Sequence, residues 1–375
     1  MTSVFTSMHE LTALAANGAR ILALFSGGLD GAFLLHTLRN RQVTALTVDL
    51  GGGSGDVPPG PHFGAQHEIV DARDRFASEY VLPAIAAIAK YSGGHPICAS
   101  LSRPLIAQIA VEKSIELGCN VIVHTSNLSQ NSLRRFNGAI RDLGFRGRYG
   151  SPFESTHLSR EQKQTVLVSA GLPEYGLRRV STDVNLWGRE FEFGSLDDPE
   201  QFVPPEDLYT WTRRTASPPP EQTLEIRFEK GKPIAVNGES LPLRDLIETV
   251  NRTAGQFRIG RYVWLEEVAS GAKVQEVREM PAATVLMDAF RRLESAILPN
   301  ECIREKMHVE QLWTREAAEG RWFGPLRAAC DRFIQDLAKY ITGTVVYALE
   351  PGEFTMRATI ATSPLYIRTR SELEN

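Results

Sequence analysis

The residues with the clearest chemical meaning form one short segment, Ser26-Gly27-Gly28-Leu29-Asp30. It follows an apolar run at 22–25 and precedes a helical pattern of apolar residues at 32–38. An apolar run, a glycine turn and a helix start predict a strand, a loop and a helix in that order. The two glycines let the backbone turn sharply and bring its N–H groups close to a ligand. Because the helix start adds unpaired N–H groups and the positive end of a dipole, the segment predicts a cradle for a phosphate group.

The glycine pair also has a simpler interpretation, because many strand–helix turns use glycine only for packing. The segment is not the Walker phosphate loop, since no Gly-Lys-Ser/Thr follows it. It resembles the pyrophosphate loop (PP-loop) of the ATP pyrophosphatase class. That resemblance implies that the loop holds the β- and γ-phosphates of ATP while an acceptor oxygen attacks the α-phosphorus, giving an adenylate and pyrophosphate. It also implies that Asp30 works with Mg²⁺ on the leaving pyrophosphate and that Ser26 donates a hydrogen bond to it.

The composition is that of a globular protein, with 375 residues of which 42% are hydrophobic and 23% charged. Such a chain is long enough for two domains with sizeable cores. A net charge of −4 gives no overall attraction to nucleic acid or to anionic membranes, so neither is expected as a partner. No apolar run reaches the roughly 18 residues of a membrane span, and residues 1–18 lack the pattern of a secretion signal. Four dispersed cysteines indicate reduced thiols and a cytoplasmic protein, and they argue against the sulfur-transfer members of the PP-loop class.

The first half of the chain alternates β and α patterns. A strand at 20–25, a helix at 31–41 and a strand at Val43–Leu50 form a βαβ unit, which favours a doubly wound parallel sheet. Further strands are predicted at Glu68–Asp71 and Asn120–His124. The other predicted helices are a short extension over 1–18 and the segments 73–91, 101–117 and Ser132–Leu143.

A loop rich in Gly and Pro, residues 51–66, follows the second strand. It is expected at the carboxyl edge of the sheet, where such sheets bind ligands. His62 and His67 lie in or beside it. A zinc role for this pair is the weaker interpretation, because no cysteine or third histidine supports it.

The second half of the chain has an α+β pattern. A Pro-rich linker at 216–220 leads to an alternating stretch, Thr223–Phe228, and Asn237-Gly238 predicts a hairpin turn. Helices are predicted at 281–298 and within 303–340. Two final strands are predicted at Gly343–Leu349 and Phe354–Ala361.

The order of motifs along almost the whole chain resembles the argininosuccinate synthase family. The matching segments are LALFSGGLDGAFLLHTL, VTALTVDLG, SLSRPLIA, STDVNLWGRE, DLYTWT, FEKGKPIAVNG, IGRYVWLEE, EMPAATVL and ITGTVVYALEPG. The resemblance implies an α/β fold: a nucleotide-binding domain of the PP-loop (adenine nucleotide alpha-hydrolase-like) type over residues 1–172, then an α+β synthetase and multimerisation domain over 173–375. It also implies an ATP-dependent ligation, in which the ureido oxygen of citrulline attacks ATP and the amine of aspartate then displaces AMP.

The nucleotide-binding residues of the family are matched closely. By resemblance, ATP is bound by Ser26, Gly27, Gly28 and Asp30, with Val48 on the adenine side. Gly31 and Ala32 stand where the family usually has Thr-Ser, so two hydroxyl donors are absent at the helix start. Backbone N–H groups at this place can still bind phosphate.

A second loop departs further from the family. The family's HGxTGKGNDQxRFE aligns with residues 124–137, in which His124, Asn131, Arg135 and Phe136 match. The aspartate-binding Thr position is Asn127, and the neighbouring Asp position is Ser132. Loss of that carboxylate removes a negative partner for the incoming ammonium, which argues against aspartate as the co-substrate.

The citrulline pocket of the family is partly retained. By resemblance, the acceptor is bound by Ser100, Arg135, Ser181 and Glu266, and Arg135 suits a carboxylate. His95 replaces a family Tyr and Ala99 replaces a Thr. Glu190 and Arg278 replace two neutral hydroxyl residues. These two charges either pair with each other and shrink the pocket, or contact an acceptor charged differently from citrulline.

We therefore predict an AMP-forming, ATP- and Mg²⁺-dependent carbon–nitrogen ligase that uses amino-acid-like substrates other than the standard pair. The alternatives are an authentic argininosuccinate synthase and a catalytically inactive homologue that binds nucleotide. The sequence stops soon after SPLYI, where family members usually continue into an arm that wraps neighbouring subunits. A homo-oligomer is expected, with a dimer as well supported as a tetramer.

Overall fold

A parallel sheet forms the centre of the N-terminal half. The computed structural model describes residues 3–53, 63–177, 181–192, 198–217, 219–268 and 270–369. The first strands along the chain are β1 (Val4–Phe5), β2 (Ile21–Leu24), β3 (Val43–Asp49), β4 (Gln66–Asp71), the short pair β5 (Lys90–Tyr91) and β6 (His95–Pro96), β7 (Val121–Val123) and β8 (Arg148–Gly150). The spatial order in the sheet is β1-β8-β7-β2-β3-β4, and each adjacent pair is parallel.

Helices cover both faces of this sheet, as a doubly wound fold requires. They are α1 (Met8–Ala16), α2 (Leu29–Thr37), α3 (Arg73–Phe76), α4 (Leu82–Ala86), α5 (Ala99–Glu116), α6 (Ser132–Asp142) and α7 (Arg160–Ser169), with a π-helical turn, Ala77–Val81, between α3 and α4. Alternate strand residues point to opposite faces: Ile21 packs with α1, α2 and α7, whereas Leu22 packs with α5 and α6. The predicted fold class is confirmed.

The strand order reverses between β2 and β7. The strands that follow β2 in the chain, β3 and β4, lie on one side of it, and β7 and β8 lie on the other. The carboxyl ends of parallel strands meet at one edge, and a reversal of strand order opens a crevice there. The loops after β2 and β7 therefore lie side by side, and they are the glycine turn and the second loop.

Two predictions in the N-terminal half were wrong in detail. Residues 1–18 were expected to be helical, but Val4 and Phe5 form β1, which pairs with the unpredicted strand β8. The helix predicted over 73–91 ends at Ala86, because Ile88 adopts φ +43° and β5 begins at Lys90. Strands of two or three residues carry too little periodicity to be recognised from sequence.

Antiparallel sheets form the C-terminal half. The strands are β9 (Ser181–Asn185), β10 (Gly188–Glu192), β11 (Gln222–Glu229), β12 (Lys232–Val236), β13 (Glu239–Ser240), β14 (Arg261–Glu267), β15 (Lys273–Glu279), β16 (Gly343–Glu350) and β17 (Glu353–Ala361). One sheet has the order β14-β15-β10-β9 and the other β13-β12-β11-β16-β17. The predicted hairpin turn is present, since Asn237 and Gly238 adopt φ +49° and +81°. In the predicted linker, Pro218 lies outside the described residues.

The helices of this half are α8 (Leu243–Gln256), α9 (Pro281–Ile297), α10 (Asn300–Ala318) and α11 (Pro325–Ala338). Helix α9 is largely buried, and its apolar residues join a core that also includes Phe76 and Tyr80 of the N-terminal half. One hydrophobic core thus crosses the predicted boundary at 172/173, and that boundary stays a prediction. No helix within the described ranges is both long and apolar enough to cross a membrane.

Candidate active site

The glycine turn between β2 and α2 leaves room for a ligand. Gly27 adopts φ +74°, in the left-handed region that favours glycine. Gly28 is the N-cap of α2, and among the described residues a Cβ built on it would contact only Ser26 Oγ, at 3.5 Å. Because Gly28 has no side chain to cap the helix, the first N–H groups of α2 are left for an anionic ligand.

The turn is supported from the protein interior. The hydroxyl of the buried Tyr175 donates to the Gly27 carbonyl oxygen at 3.3 Å. A Cβ on Gly31 would lie 2.9 Å from the Phe25 ring, and Ala32 is fully buried. Larger hydroxyl residues at 31 and 32 would therefore require repacking, which accounts for the small residues found there.

Asp30 has a cationic partner that the sequence analysis did not identify. Its Oδ1 accepts a hydrogen bond from Lys163 Nζ at 2.9 Å. The Asp30 side chain is 34% exposed, whereas that of Lys163 on α7 is 8% exposed. Of the other predicted nucleotide-binding residues, Ser26 is exposed at the turn and Val48 is half-buried on β3.

The second loop follows β7 at the same edge of the sheet. Asn127 Oδ1 accepts hydrogen bonds from the backbone N–H and the hydroxyl of Ser129, at 3.0 and 2.6 Å, so this side chain closes its own turn. Ser132 Oγ accepts from Arg103 Nε at 3.1 Å. Arg103 Nη2 in turn lies 2.7 Å from Asp183 Oδ2 on β9.

Glu266 on β14 is the centre of the predicted acceptor pocket. Its Oε1 accepts from Arg135 Nη2 at 2.7 Å and from Asn131 Nδ2 at 2.8 Å, and its Oε2 accepts from Arg278 Nη2 at 2.7 Å. Burial alone would raise the pKa of Glu266, but the guanidinium groups of Arg135 and Arg278 lower it below its usual range. Glu266 is therefore ionised and holds residues from both halves of the chain together.

Close backbone packing fixes the direction of Arg135. Helix α6 approaches the turn after α10 so closely that a Cβ on Gly138 would lie 2.3 Å from the Gly320 carbonyl oxygen. At this contact Arg135 Nε donates to the Ala318 carbonyl oxygen at 3.0 Å. The guanidinium group is thereby held against Glu266.

Arg278 pairs with Glu190, which was one of the two alternatives for these charges. The two residues are direct cross-strand neighbours on β15 and β10, and Arg278 Nε donates to Glu190 Oε1 at 2.7 Å. Arg278 also contacts Glu276 two residues earlier on the same face of β15. Burial raises the pKa of Glu190, although Arg278 opposes the shift. Burial disfavours the charged form of Arg278, but the carboxylates of Glu276, Glu190 and Glu266 raise its pKa well above the usual value.

A cavity is lined by four of the predicted acceptor residues together with residues of the second loop. It is lined by Ala99, Ser129, Gln130, Asn131, Ser132, Arg135, Glu190, Val268, Val274, Gln275, Glu276 and Arg278. Arg278 Nη1 is buried without a hydrogen-bond partner among the described residues. Arg278 therefore pairs with Glu190 and still has one guanidinium nitrogen available to a ligand in the cavity that it lines.

The other predicted residues lie around this cavity or outside what is described. His95 is fully buried with its Nε2 3.9 Å from Glu266 Oε2, and burial, followed by Arg278, lowers its pKa to about 2, so the ring is neutral. Ser100 is buried in the first turn of α5. Ser181 begins β9, and its side chain lies outside the described part of the chain.

The weaker zinc interpretation receives no geometric support from His67. Its Nε2 lies 2.8 Å from Thr47 Oγ1, and its ring packs edge-on against Phe25. His62 lies outside the described residues, as does the loop from 54 to 62. Among the described residues there is no group of three or more His, Cys, Asp or Glu side chains that could hold a metal ion.

Lys163 and Glu276 were missed, although the sequence contains a signal for each. Lys163 is four residues before Leu167, so both share the face of α7 that packs on the core. Glu276 is two residues before Arg278 in a strand. A charged side chain at a core-facing position is rarely buried without a partner. The periodicity of the sequence shows that such a partner is needed, but it does not identify the partner.

Comparison with known proteins agrees with this arrangement. Residues 20–173 match the model of the arginosuccinate synthase N-terminal HUP domain, and residues 180–374 match that of the arginosuccinate synthase C-terminal domain. The chain belongs to the argininosuccinate synthase family. It is similar to the argininosuccinate synthases of Rubrobacter xylanophilus (35% identity, covering 93% of this chain and 87% of the relative) and Methanocaldococcus jannaschii (33%, 88% and 85%). That of Haloarcula marismortui is 35% identical and covers 90% of this chain and 81% of the relative.

Membership of the argininosuccinate synthase family confirms the predicted resemblance and places the chain among ATP-dependent carbon–nitrogen ligases. The names of these relatives give no support to the prediction of non-standard substrates.

Proposed function

We propose that this protein is an AMP-forming carbon–nitrogen ligase that adenylates a small amino-acid-like acceptor and joins it to an amine. The observation that carries this proposal is the open Gly27–Gly28 turn, with Gly28 as the N-cap of α2 beside the reversal of strand order. In this proposal the backbone N–H groups bind the β- and γ-phosphates of ATP. They stabilise the charge that develops on pyrophosphate when an acceptor oxygen attacks the α-phosphorus.

Asp30 is the residue that would hold Mg²⁺. Its carboxylate is partly exposed beside the turn, and one carboxylate combined with phosphate oxygens is a common way for proteins to bind this ion. When bound, Mg²⁺ would neutralise charge on the departing pyrophosphate. Ser26, exposed at the same turn, would donate a hydrogen bond to a phosphate oxygen.

Citrulline and aspartate are the first substrate pair to consider, because the relatives named above are argininosuccinate synthases. Arg135 and Asn131, both fixed on Glu266, would position the acceptor's carboxylate and ammonium groups. Asn127, Ser132, Ser100, His95 and Ser181 would complete the two amino-acid sites. We also propose that the protein is located in the cytoplasm and that it forms a dimer or a tetramer.

A second candidate is the same chemistry on a different acceptor. It is favoured by the buried pair of Glu190 and Arg278, since two charges line the cavity together with an unpaired guanidinium edge. A carboxylate on the acceptor could bind that edge, whereas a neutral ureido group would leave its charge poorly matched.

A substrate screen tests these proposals. The purified protein is incubated with ATP, Mg²⁺ and pairs of amino acids, and AMP, pyrophosphate and products are followed by mass spectrometry. Argininosuccinate from citrulline and aspartate would establish the first pair, and AMP release only with another pair would establish the second candidate. ATP binding without AMP release from any pair would favour an inactive homologue. Failure to bind ATP with Mg²⁺ would overturn the proposal.

A matched pair of variants links the product to the turn. Asp30→Asn should reduce AMP release at least tenfold, because the Mg²⁺ ion that neutralises the phosphates loses its carboxylate ligand. Asp336→Asn makes the same chemical change at an exposed ion pair on α11 and should leave AMP release at the wild-type rate.

A further inference from the structure

Lys163 occupies a position on α7 that helical periodicity assigns to the protein core. It shares one face with Leu167, which is fully buried, and the Lys163 side chain is itself only 8% exposed. A buried ammonium group loses its hydration and requires compensating contacts. A methionine or leucine would fill this place without that cost, so the charge calls for a reason beyond packing.

The ammonium group of Lys163 is held at the mouth of the phosphate turn. Its Nζ donates to Asp30 Oδ1 at 2.9 Å and lies 4.2 Å from the centre of the Phe153 ring. A cation over an aromatic face is stabilised without a directed acceptor. An ammonium group has three donors, and the hydrogen bond to Asp30 uses one of them.

Asp30 by itself would oppose the binding of a phosphate chain. It follows Gly28 by two residues, in the first turn of α2, where a carboxylate and a polyphosphate would repel each other. Lys163 cancels this charge at hydrogen-bond distance. If the Asp30 carboxylate binds a metal ion instead, the N–H of Lys163 that donated to Asp30 becomes available to a phosphate oxygen.

We propose that Lys163 binds the β- and γ-phosphates of the nucleotide, and that Asp30 holds its ammonium group in place until the phosphates arrive. The inference rests on the proposed function, because it assumes that the Gly27–Gly28 turn receives a nucleotide. It assigns to α7 a part of the phosphate site that lies more than a hundred residues away from the turn in the chain.

Equilibrium titration tests the role of Lys163 without requiring turnover. ATP, pyrophosphate and adenosine are titrated by calorimetry into the full-length protein, with EDTA and separately with Mg²⁺. For Lys163→Met we expect the Kd of ATP and of pyrophosphate to rise at least tenfold in EDTA, and the Kd of adenosine to stay as in wild type. Lys113→Met removes a lysine that pairs with Glu116 on the surface of α5, and it should change none of these values.

The Lys163→Met substitution made in an Asp30→Asn variant shows whether Lys163 binds phosphate or only pairs with Asp30. In Asp30→Asn the ammonium group loses its anionic partner, so pyrophosphate in EDTA should bind more tightly than to wild type. Adding Lys163→Met to this variant should again raise the Kd at least tenfold. An unchanged Kd between Asp30→Asn and the double variant would overturn the proposal, because Lys163 would then act only on Asp30.

The remaining outcomes separate the two proposals. If wild type binds ATP and Lys163→Met binds it equally well, only the role of Lys163 fails. If wild type binds neither ATP nor pyrophosphate, the proposed function fails with it. Lys163→Arg keeps the charge and should retain binding within a few-fold. If Lys163→Arg keeps its thermal unfolding midpoint yet loses binding as completely as Lys163→Met, the proposed role of the positive charge is overturned.

Discussion

Five charged side chains share one buried cluster at the acceptor cavity, and all but Glu266 line it: Arg135, Arg278, Glu190, Glu266 and Glu276. Each charge has lost water, so the cluster is stable only while the pairs are complete. Removing a guanidinium group leaves carboxylates buried without compensation. Removing both members of a pair costs less than the two single changes suggest.

The first prediction concerns the pair of Arg278 and Glu190. Arg278→Gln should lower the free energy of unfolding by about 3–5 kcal/mol, because three buried carboxylates lose a shared partner. In a double-mutant cycle with Glu190→Gln, urea unfolding should give a coupling energy of about 1–3 kcal/mol. Lys339→Gln, at an exposed ion pair, serves as the control and should leave the urea midpoint unchanged. Additive single and double variants would contradict the structure of the cluster.

His95 gives a prediction about pH. Burial lowers its pKa in the folded protein to about 2 from 6.5, so below pH 6.5 the unfolded chain binds a proton that the folded chain does not. The unfolded state is then favoured as the pH falls, by about 2 kcal/mol between pH 8 and pH 5. Urea unfolding of His95→Gln and wild type at both pH values should show a smaller acid loss for the variant. An equal loss in the two proteins would contradict a neutral, buried His95.

Contacts between charged residues could be predicted from the sequence only where both partners had already been identified as pocket residues. The pairing of Glu190 with Arg278 was one of two alternatives, because unpaired buried charge is costly. Lys163 and Asp30 are 133 residues apart, and no local pattern connects them. Their contact depends on how α7 lies against α2, which is a property of the folded chain.

The turn and the helix it begins respond differently to small changes. Gly28→Ala places a Cβ where only Ser26 Oγ is near, at 3.5 Å, and its φ of −73° is ordinary for alanine. Gly31→Ala places a Cβ 2.9 Å from the Phe25 ring. The two variants add the same methyl group three residues apart, so each is the control for the other.

We expect Gly28→Ala to weaken ATP binding at least tenfold, because the methyl group narrows the cradle, with thermal stability near that of wild type. We expect Gly31→Ala to cost about 1–3 kcal/mol of stability through overpacking. Calorimetric titration with ATP and urea unfolding measure the two effects. A Gly28→Ala protein that binds ATP like wild type would contradict the assignment of the turn.

Helix α9 shows that an element is predicted well where its periodic pattern of apolar residues extends over several turns. Helix α9 was expected at 281–298 and is observed at Pro281–Ile297, since its apolar residues repeat over several turns. The pairs β9–β10 and β14–β15, which carry Glu190, Glu266 and Arg278, were not assigned as strands. On β14 the exposed Val263, Trp264 and Leu265 are consecutive, so the alternation that marks a strand is lost.

The two halves of the molecule share one core. Tyr80, on the π-helical turn, stacks on Trp322 with ring centres 4.7 Å apart, and Lys306 Nζ donates to the Ala86 carbonyl oxygen at 2.6 Å. These contacts are buried and join segments far apart in the sequence. The predicted boundary at 172/173 therefore need not separate two units that fold alone.

We predict that the fragment 1–172 lacks a cooperative thermal transition, because it would expose Phe76, Tyr80 and Val81, which are now buried. The fragment should also bind a hydrophobic dye, and the full chain should not. In the full chain, unfolding followed by tryptophan fluorescence and by far-ultraviolet circular dichroism should coincide. A sharp transition in the fragment alone would contradict a shared core.

The cross-strand pairing of Glu190 with Arg278 also bears on how this pocket could have arisen. Changing Arg278 alone leaves the buried Glu190 carboxylate without its partner, so this intermediate folds less stably than its parent, whereas Arg278 keeps Glu266 and Glu276 when Glu190 alone is changed. Replacement of Arg278 is thus expected to accompany or follow replacement of Glu190. A laboratory search that randomises both codons together should reach variants that stepwise mutagenesis discards.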